Sequence, residues 1–263
     1  MRENGVRTAV VVAVHGAGGG GWEWGIWARV LARRGFEVIA PDLMPSSQGI
    51  EKTSFMDYRS QVMDWCAGAR ANVVLIGASL GGLLALSAAQ RVKPVALVLV
   101  NPLPPAGILA RPLYDVRPPV VPWARERSLA STRRALPDAD DAARLFALRR
   151  WRDESGAVLN EARDGIAVEP PRCPVLLMAS ELDADVPLAA ARALSVRFSA
   201  DFRTLAGASH VGPLLGRCAA DNAAQATDWL AARVPAEPGS LRVSAGSSAA
   251  PYAAPCRGRR NLK

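Results

Sequence analysis

A candidate nucleophile stands in the segment GASLGG at residues 77–82. Ser79 falls between an apolar run and an Ala/Leu-rich stretch, with one glycine two positions before it and another two positions after it. This is the G-x-S-x-G pattern of a serine held on a sharp turn from a strand into a helix, where small neighbours relieve crowding of the backbone. A serine placed in this way can attack a carbonyl carbon if a base removes its proton.

Histidine is the usual base for such a serine, and the sequence has two histidines, His15 and His210. His15 ends the first apolar run, beside a glycine-rich loop. His210 stands in GASHVG after the last apolar run, on a segment that is free to reach the serine. His210 is therefore the predicted general base.

An acid is needed to orient the imidazole, and the segment ELDADVP at 181–187 offers Glu181, Asp183 and Asp185. Asp183 is the preferred choice, because it lies in the turn before Val186 and Pro187 open the next helix. Asp185 is the second choice. The predicted order along the chain is serine, aspartate, histidine.

The glycine-rich stretch VHGAGGGGW at 14–22 has two incompatible interpretations. Gly16, Gly18 and Gly21 have the G-x-G-x-x-G spacing of a dinucleotide-binding turn, with an acid, Asp42, about twenty residues further on. The same letters are typical of a loop whose backbone N–H groups stabilise the oxyanion that forms when a serine attacks a carbonyl. The second interpretation is favoured, because the first leaves the serine, acid and histidine unexplained and tryptophans crowd the start of its helix.

Six apolar runs bounded by turn residues indicate buried parallel strands, at 9–14, 36–40, 72–78, 95–100, 174–179 and, more weakly, 201–207. Five stretches between them have the apolar spacing of helices, at 24–34, 55–69, 80–91, 188–198 and 219–233. This alternation predicts an α/β fold with a mostly parallel central sheet flanked by helices.

One segment interrupts the alternation. Residues 104–171 form a proline-rich stretch and then a helical one, DADDAARLFALRRWRDE at 138–154. Such a segment cannot extend the sheet, so we expect it to lie above the strand ends as a cap. The predicted division of the chain follows: a first core part at 6–103, the cap insertion at 104–171, a second core part at 172–234, and a disordered basic tail at 235–263.

Taken together, HGAGGG, GASLGG, ELDADVP and GASHVG resemble the motifs of the α/β-hydrolase superfamily, in the same order, over about residues 6–233. The resemblance is strongest to small serine esterases and lactonases whose first strand ends in a His-Gly-x-Gly loop followed by tryptophans. It implies that Leu80 and Ala17 donate the N–H groups of the oxyanion hole, with Gly18 as a substitute. The first two antiparallel strands of the family's sheet have no counterpart here.

Tryptophans next to these motifs are candidate walls of a substrate pocket: Trp22 after the glycine loop, and Trp123 and Trp151 in the inserted segment. The pocket is then largely apolar and suits an acyl chain, a lactone or an aromatic ester. The predicted function is hydrolysis of a carboxylic ester, lactone or thioester, three substrates that share tetrahedral chemistry. A lyase of the same fold and a small-ligand receptor are the alternatives, with a dinucleotide-dependent oxidoreductase behind them.

Composition narrows the partners. The formal net charge is +8, but five basic residues and one acid fall at 235–263, so half of the excess lies in the predicted tail. Nucleic-acid binding is therefore not expected. Four separated cysteines lack metal-ligand spacing and are expected to be free thiols, so neither a metal nor a cofactor is predicted: Cys66, Cys173, Cys218 and Cys256. Without a signal peptide or spanning segment, a cytoplasmic protein with no membrane partner is expected.

Overall fold

The structure, a computed structural model, describes residues 9–69 and 72–235. Residues 6–8 of the predicted first core part lie outside this range. The predicted basic tail lies outside it from residue 236 onward.

A parallel sheet of six strands forms the centre of the fold, in the order β2-β1-β3-β4-β7-β8. Two further short strands, β5 and β6, pair antiparallel in a separate ribbon. The strands are β1 (Ala9–Val14), β2 (Glu37–Ile39), β3 (Asn72–Ala78), β4 (Ala96–Val100), β5 (Val120–Val121), β6 (Glu154–Ser155), β7 (Val175–Ser180) and β8 (Asp201–Leu205). All six predicted strands are confirmed, with ends that differ by one or two residues.

Nine α-helices lie within the described residues: α1 (Gly25–Ala32), α2 (Phe55–Gly68), α3 (Leu80–Val92), α4 (Leu129–Ala135), α5 (Asp141–Leu148), α6 (Gly156–Asp164), α7 (Leu188–Arg197), α8 (Gly212–Leu215) and α9 (Ala219–Ala231). The five predicted helices are present as α1, α2, α3, α7 and α9. None of the described helices is long and apolar enough to span a bilayer.

Successive residues of each strand point to opposite faces of the sheet, and both faces are buried. In β3, Leu75 packs in the cluster that contains the apolar faces of α2, α3 and α7. Val74 and Ile76 pack in the other cluster, with the apolar faces of α1 and α9. This burial on both sides explains why the strands are continuous apolar runs in the sequence.

The register of the sheet brings the carboxyl ends of the strands together. Val14 of β1 pairs with Gly77 of β3, and Val100 of β4 pairs with both Ala78 and Met178. The loops that follow β1, β3, β4 and β7 therefore leave the sheet at one edge. In parallel α/β sheets this edge is where ligands bind.

Residues 104–171 do not enter the main sheet. Their first part contains the ribbon strand β5 and helices α4 and α5, and β6 returns to pair with β5. The predicted helical stretch at 138–154 is helical only at 141–148 (α5). Helices α4 and α6 were not predicted, and α6 packs on α2 and α3, with Val158 fully buried in the main core. The end of the insertion is thus part of the core layer.

Cys66, Cys173 and Cys218 are unpaired thiols, as predicted. Cys256 lies outside the described residues. Cys66 is buried against the core on α2, which agrees with its interpretation as a packing residue.

Candidate active site

Ser79 lies at the tight turn between β3 and α3 and has φ 52° and ψ −122°. A non-glycine residue in this region is sterically strained, and such strain is found where a side chain must be held in a special position. The flanking glycines make the turn possible. A Cβ added to Gly77 would overlap the backbone of Gly81, and one added to Gly81 would overlap the backbone of Val14.

Ser79, His210 and Asp183 form a continuous chain of hydrogen bonds. The Oγ atom of Ser79 lies 2.9 Å from Nε2 of His210. On the other side of the ring, Nδ1 of His210 lies 2.8 Å from Oδ2 of Asp183. The structure therefore brings together the three side chains that the sequence motifs singled out.

The two aspartates offered by the sequence occupy different positions around His210. The Asp183 side chain is 2% exposed, and its Oδ1 accepts the backbone N–H groups of Asp185 and Val186 at 2.8 Å each. The Asp185 side chain is 70% exposed and lies 4.0 Å from Nε2 of His210. Asp183 thus faces Nδ1 in a fixed orientation, whereas Asp185 approaches the nitrogen that faces the serine.

Burial and charge act in opposite directions on the imidazole of His210. Burial by itself lowers the pKa, but the hydrogen bond and negative charge of Asp183, with the charges of Asp185 and Glu23, outweigh burial. The net effect is a pKa raised above the ordinary histidine value of 6.5. A base whose protonated form is stabilised in this way is suited to accepting the serine proton.

His15 has a different environment. Its Nδ1 donates to the carbonyl of Gly16 at 2.8 Å, and its Nε2 accepts the N–H of Leu43 at 2.9 Å. Burial lowers the pKa of His15 to about 4, so the ring is neutral at pH 7. Both nitrogens are committed to the backbone, and His15 fixes the loop after β1.

The loop after β1 carries the N–H groups predicted to bind an oxyanion. Within residues 9–69 and 72–235, neither the Ala17 N–H nor the Leu80 N–H has a hydrogen-bond partner. Ala17 lines the same cavity as Ser79. An unbound donor beside a nucleophile is the arrangement that stabilises a developing oxyanion.

Gly18, the predicted substitute donor, is already engaged. Its N–H donates to Oε2 of Glu154 at 2.9 Å, and its carbonyl accepts the N–H of Arg152 at 2.8 Å. The indole of Trp123 packs so closely that a Cβ on Gly18 would overlap it. Gly18 also has a left-handed φ of 67°. Its role is to be held by the inserted segment rather than to donate to a ligand.

Two buried carboxyl groups flank this loop. Glu154 is 3% exposed, and its Oε1 accepts the Tyr58 hydroxyl and the Ser155 N–H at 2.8 Å each. Glu23 is 4% exposed, and its Oε2 accepts the Gly16 N–H at 3.4 Å. Burial raises the pKa of Glu23 to about 8 and also raises the pKa of Glu154. The N–H groups on either side of Ala17 are therefore bound to carboxyl groups.

Asn101, at the end of β4, is a positioning residue that sequence reasoning missed. Its side-chain amide donates to Oγ of Ser180 at 2.8 Å and to the carbonyl of His210 at 2.7 Å, while its Oδ1 accepts the Ser180 N–H at 2.7 Å. Asn101 is 2% exposed and has a left-handed φ of 45°. A polar residue directly after an apolar central strand was the available signal.

Asp138 of the inserted segment also holds the histidine loop. Its carboxylate accepts the hydroxyl and the N–H of Ser209 at 2.6 Å and 3.1 Å. The Ser209 hydroxyl in turn accepts the N–H of Gly212 at 3.2 Å. The residue before His210 is thus fixed by a contact that the sequence did not indicate.

Ser79 and His210 open into a cavity of about 520 Å³, and more than half of its lining residues belong to 104–171. Trp123 and Trp151 are among them, as expected of substrate-binding residues. Trp22 is not: it packs edge-on against Trp151 and Phe146, with ring centroids 5.5 and 5.6 Å apart. Trp22 therefore supports a wall of the cavity from behind, which corrects its predicted contact with substrate.

Asp183, Asp185 and His210 are also the one group of potential metal ligands in the described part of the chain, with ligand atoms within 4.8 Å of one another. Their hydrogen bonds bear on that role. Asp183 is committed to His210 and to two backbone N–H groups, so a cation would have to displace the hydrogen bond between them.

Comparison with known structures shows the same architecture. A pyrethroid hydrolase from Sphingobium faniae JZ-2 is 21% identical with a TM-score of 0.64, and the match covers 84% of this chain and 97% of that one. A monoacylglycerol lipase from Paleococcus ferrophilus is 20% identical with a TM-score of 0.60, covering 87% and 96%. Polyneuridine aldehyde esterase is 16% identical with a TM-score of 0.64, covering 85% and 99%. No curated protein matches the chain in sequence.

A parallel sheet with a strained serine after its third strand defines the class of fold. The family model described as "Alpha/beta hydrolase family" matches residues 11–237, and the chain belongs to that family.

Proposed function

We propose that this protein hydrolyses a carboxylic ester, in the broad sense that includes lactones and thioesters, through an acyl-enzyme on Ser79. The observation that carries the proposal is the unbroken series of hydrogen bonds from Ser79 through His210 to Asp183, 2.9 and 2.8 Å long, which opens into a cavity. The esterases and lipases among the structurally similar proteins agree with this chemistry.

In the proposed mechanism, Oγ of Ser79 attacks the carbonyl carbon while its proton passes to Nε2 of His210. Asp183 holds the ring through Nδ1 and stabilises the imidazolium. The N–H groups of Ala17 and Leu80 bind the oxyanion, each worth about 2.7–4 kcal/mol of barrier. His210 then protonates the leaving group, and water, activated by the same ring, releases the acid.

The contacts of the glycine loop do not support the dinucleotide alternative. The acid that would bind a ribose, Asp42, accepts the N–H of Gly21 at 2.7 Å and lies 3.4 Å from the guanidinium of Arg152. Gly18 is covered by Trp123. A pyrophosphate needs open glycine N–H groups at the start of a helix, but α1 begins later, at Gly25.

The test compares wild type with Ser79→Ala on 4-nitrophenyl esters, acyl thioesters and lactones of short and medium chain length. The wild type is expected to turn over at least one class, and Ser79→Ala to lose about 10⁴-fold or more in kcat. Full turnover by the alanine variant would contradict the mechanism.

The covalent step separates the remaining alternatives. A fluorophosphonate should add its phosphonyl group to Ser79, detected by intact mass and mapped to the peptide that contains residue 79. A lyase would cleave a carbon–carbon bond with no acyl-enzyme on rapid quench. A receptor would bind a ligand tightly while Ser79 resisted the probe.

A further inference from the structure

Two arginines of the inserted segment, Arg117 and Arg127, line the cavity that contains Ser79 and His210. Sequence reasoning predicted an apolar pocket there, and tryptophan and leucine side chains do form part of its wall. The guanidinium groups give this wall a positive charge as well. Their partners therefore decide whether that charge is already neutralised.

Arg117 is anchored by its backbone and not by its guanidinium group. Its N–H donates to Oδ1 of Asn160 at 2.8 Å, and its carbonyl accepts from Nδ2 of the same residue at 3.0 Å. The guanidinium lies 5.0 Å from the ring centroid of Tyr114. Its Nε is shielded from solvent and has no hydrogen-bond partner, a costly arrangement for a buried donor.

Arg127 donates one hydrogen bond, from Nη1 to the carbonyl of Ala124 at 2.7 Å. Within residues 9–69 and 72–235, neither Arg127 nor Arg117 pairs with a carboxylate, although Arg125, between them in sequence, pairs with Asp153 at 2.7 Å. The two cavity arginines are thus the ones left with unused donors.

The acid that shares the cavity wall is Asp185, which belongs to the loop after β7, next to His210. Both arginines come from the inserted segment. Counting these three groups, the wall has an excess of one positive charge. A single negative charge on a bound molecule would balance it.

We propose that the substrate carries a carboxylate that binds Arg117 and Arg127 in this cavity, a statement that rests on the ester hydrolase function proposed above. A guanidinium presents paired N–H donors that match a carboxylate, and charge-assisted hydrogen bonds are the strong ones. A phosphate dianion fits less well, because Asp185 would repel its second charge. The remaining apolar wall suits the carbon chain between the carboxylate and the scissile bond.

Matched esters test the proposal. On the acyl side, mono-4-nitrophenyl adipate is compared with methyl 4-nitrophenyl adipate, and on the alcohol side 4-(hexanoyloxy)benzoate is compared with its methyl ester. In at least one pair the charged ester should have a kcat/KM about tenfold higher or more. The pair that shows the preference tells which side of the ester the arginines face. 4-(Hexanoyloxy)phenyl phosphate is the phosphate arm.

The variants Arg117→Met and Arg127→Met keep the apolar stem and remove the charge. Each should move the ratio of kcat/KM for charged and neutral esters toward one, mainly through KM. Arg134→Met is the matched control, since Arg134 is exposed on α4 and does not line the cavity. It should keep the wild-type ratio.

Equal turnover of charged and neutral esters by the wild type, or an unchanged ratio in both methionine variants, would overturn the proposal. A stronger preference for the phosphate would overturn the carboxylate assignment. Calorimetric titration of Ser79→Ala with mono-4-nitrophenyl adipate separates this inference from the catalytic one. Binding that weakens in the double variants Ser79→Ala/Arg117→Met and Ser79→Ala/Arg127→Met, with no ester hydrolysed by wild type, would refute the hydrolase and retain the anion site.

Discussion

The carboxyl group of Glu154 accepts the backbone N–H of Gly18 at 2.9 Å, across 136 positions of the sequence. Glu154 begins α6's preceding strand, β6, in the inserted segment, and Gly18 follows Ala17 in the loop proposed to bind the oxyanion. The carbonyl of Gly18 is bound by Arg152 of the same segment. The insertion therefore fixes the loop on which the proposed oxyanion donor lies.

Replacing Glu154 should affect catalysis more than substrate binding. In Glu154→Ala, the N–H of Gly18 and the hydroxyl of Tyr58 lose their partner, so the Ala17 donor is held less firmly. We expect kcat to fall about tenfold or more with little change in KM, because a misplaced donor loses part of its 10²–10³-fold contribution. Steady-state kinetics well below the unfolding temperature checks this.

Glu154→Gln keeps an acceptor oxygen of nearly the same shape and should recover part of the lost kcat. Asp153→Ala is the control, because Asp153 holds the backbone of Ala124 in the same segment without touching Gly18. If Asp153→Ala lowered kcat as much as Glu154→Ala does, general loosening of the segment would explain the loss.

The two aspartates near His210 should differ sharply. Asp183→Asn is expected to lower kcat by about 10⁴-fold, because an amide favours the wrong tautomer of the imidazole. Asp185→Asn should lower it much less, since Asp185 is 70% exposed and faces the other nitrogen. Measured kcat values of the two variants decide between them, and a reversed order would make Asp185 the orienting acid.

The pH profile of kcat/KM should have an acid limb set by His210. Below its pKa the ring is protonated and cannot accept the serine proton, so activity is lost as the pH falls. Since Asp183 and the nearby acids hold this pKa above 6.5, the midpoint is expected above 6.5. Asp185→Asn should move the midpoint downward, less so at high salt because Asp185 is exposed. A wild-type midpoint below 6.5 would contradict the assignment.

Glu23 should make folding stability depend on pH. Its pKa is raised from 4.5 to about 8, so the folded state retains a proton that the unfolded chain releases. This contribution is fully present below pH 4.5 and is lost as the pH rises to about 8. His15, with its pKa lowered to about 4, acts in the opposite direction up to pH 6.5, so the Glu23 effect is clearest between 6.5 and 8.

Denaturant unfolding at pH 6.5 and pH 8 measures the difference. On this basis, Glu23 accounts for a loss of about 2 kcal/mol over that interval in the wild type. The isosteric variant Glu23→Gln should lose correspondingly less, whereas Glu126→Gln, an exposed control, should behave as wild type. Equal pH dependence in Glu23→Gln and wild type would show that Glu23 is ionised in the folded protein.

Chelation should leave ester turnover unchanged, because the proposed nucleophile, base and acid contact one another directly. The measurement is kcat/KM before and after dialysis against EDTA. A loss of activity that zinc or another divalent ion restored would instead indicate a cation bound by Asp183, Asp185 and His210.

Local sequence patterns predicted the sheet and its main helices well. Strands buried on both faces are continuous apolar runs, and the turn around Ser79 needs small residues, so both leave a signal within a few neighbouring positions. The inserted segment was harder to predict. Helix α4 is short and exposed, and the apolar residues of α6 face a core that other elements complete, so neither helix has a strong periodicity of its own.

The sequence by itself identified a nucleophile, a base and two possible acids, because their order and their positions after strands follow from an alternating α/β chain. Only the tertiary structure decided which aspartate faces Nδ1 of His210, that Gly18 is bound to Glu154, that Trp22 lies behind the cavity wall and that Arg117 and Arg127 lie in it. The physical reason is that hydrogen bonds, packing and charge pairing depend on distances in space. The path of the inserted segment sets those distances, and no local pattern specifies that path.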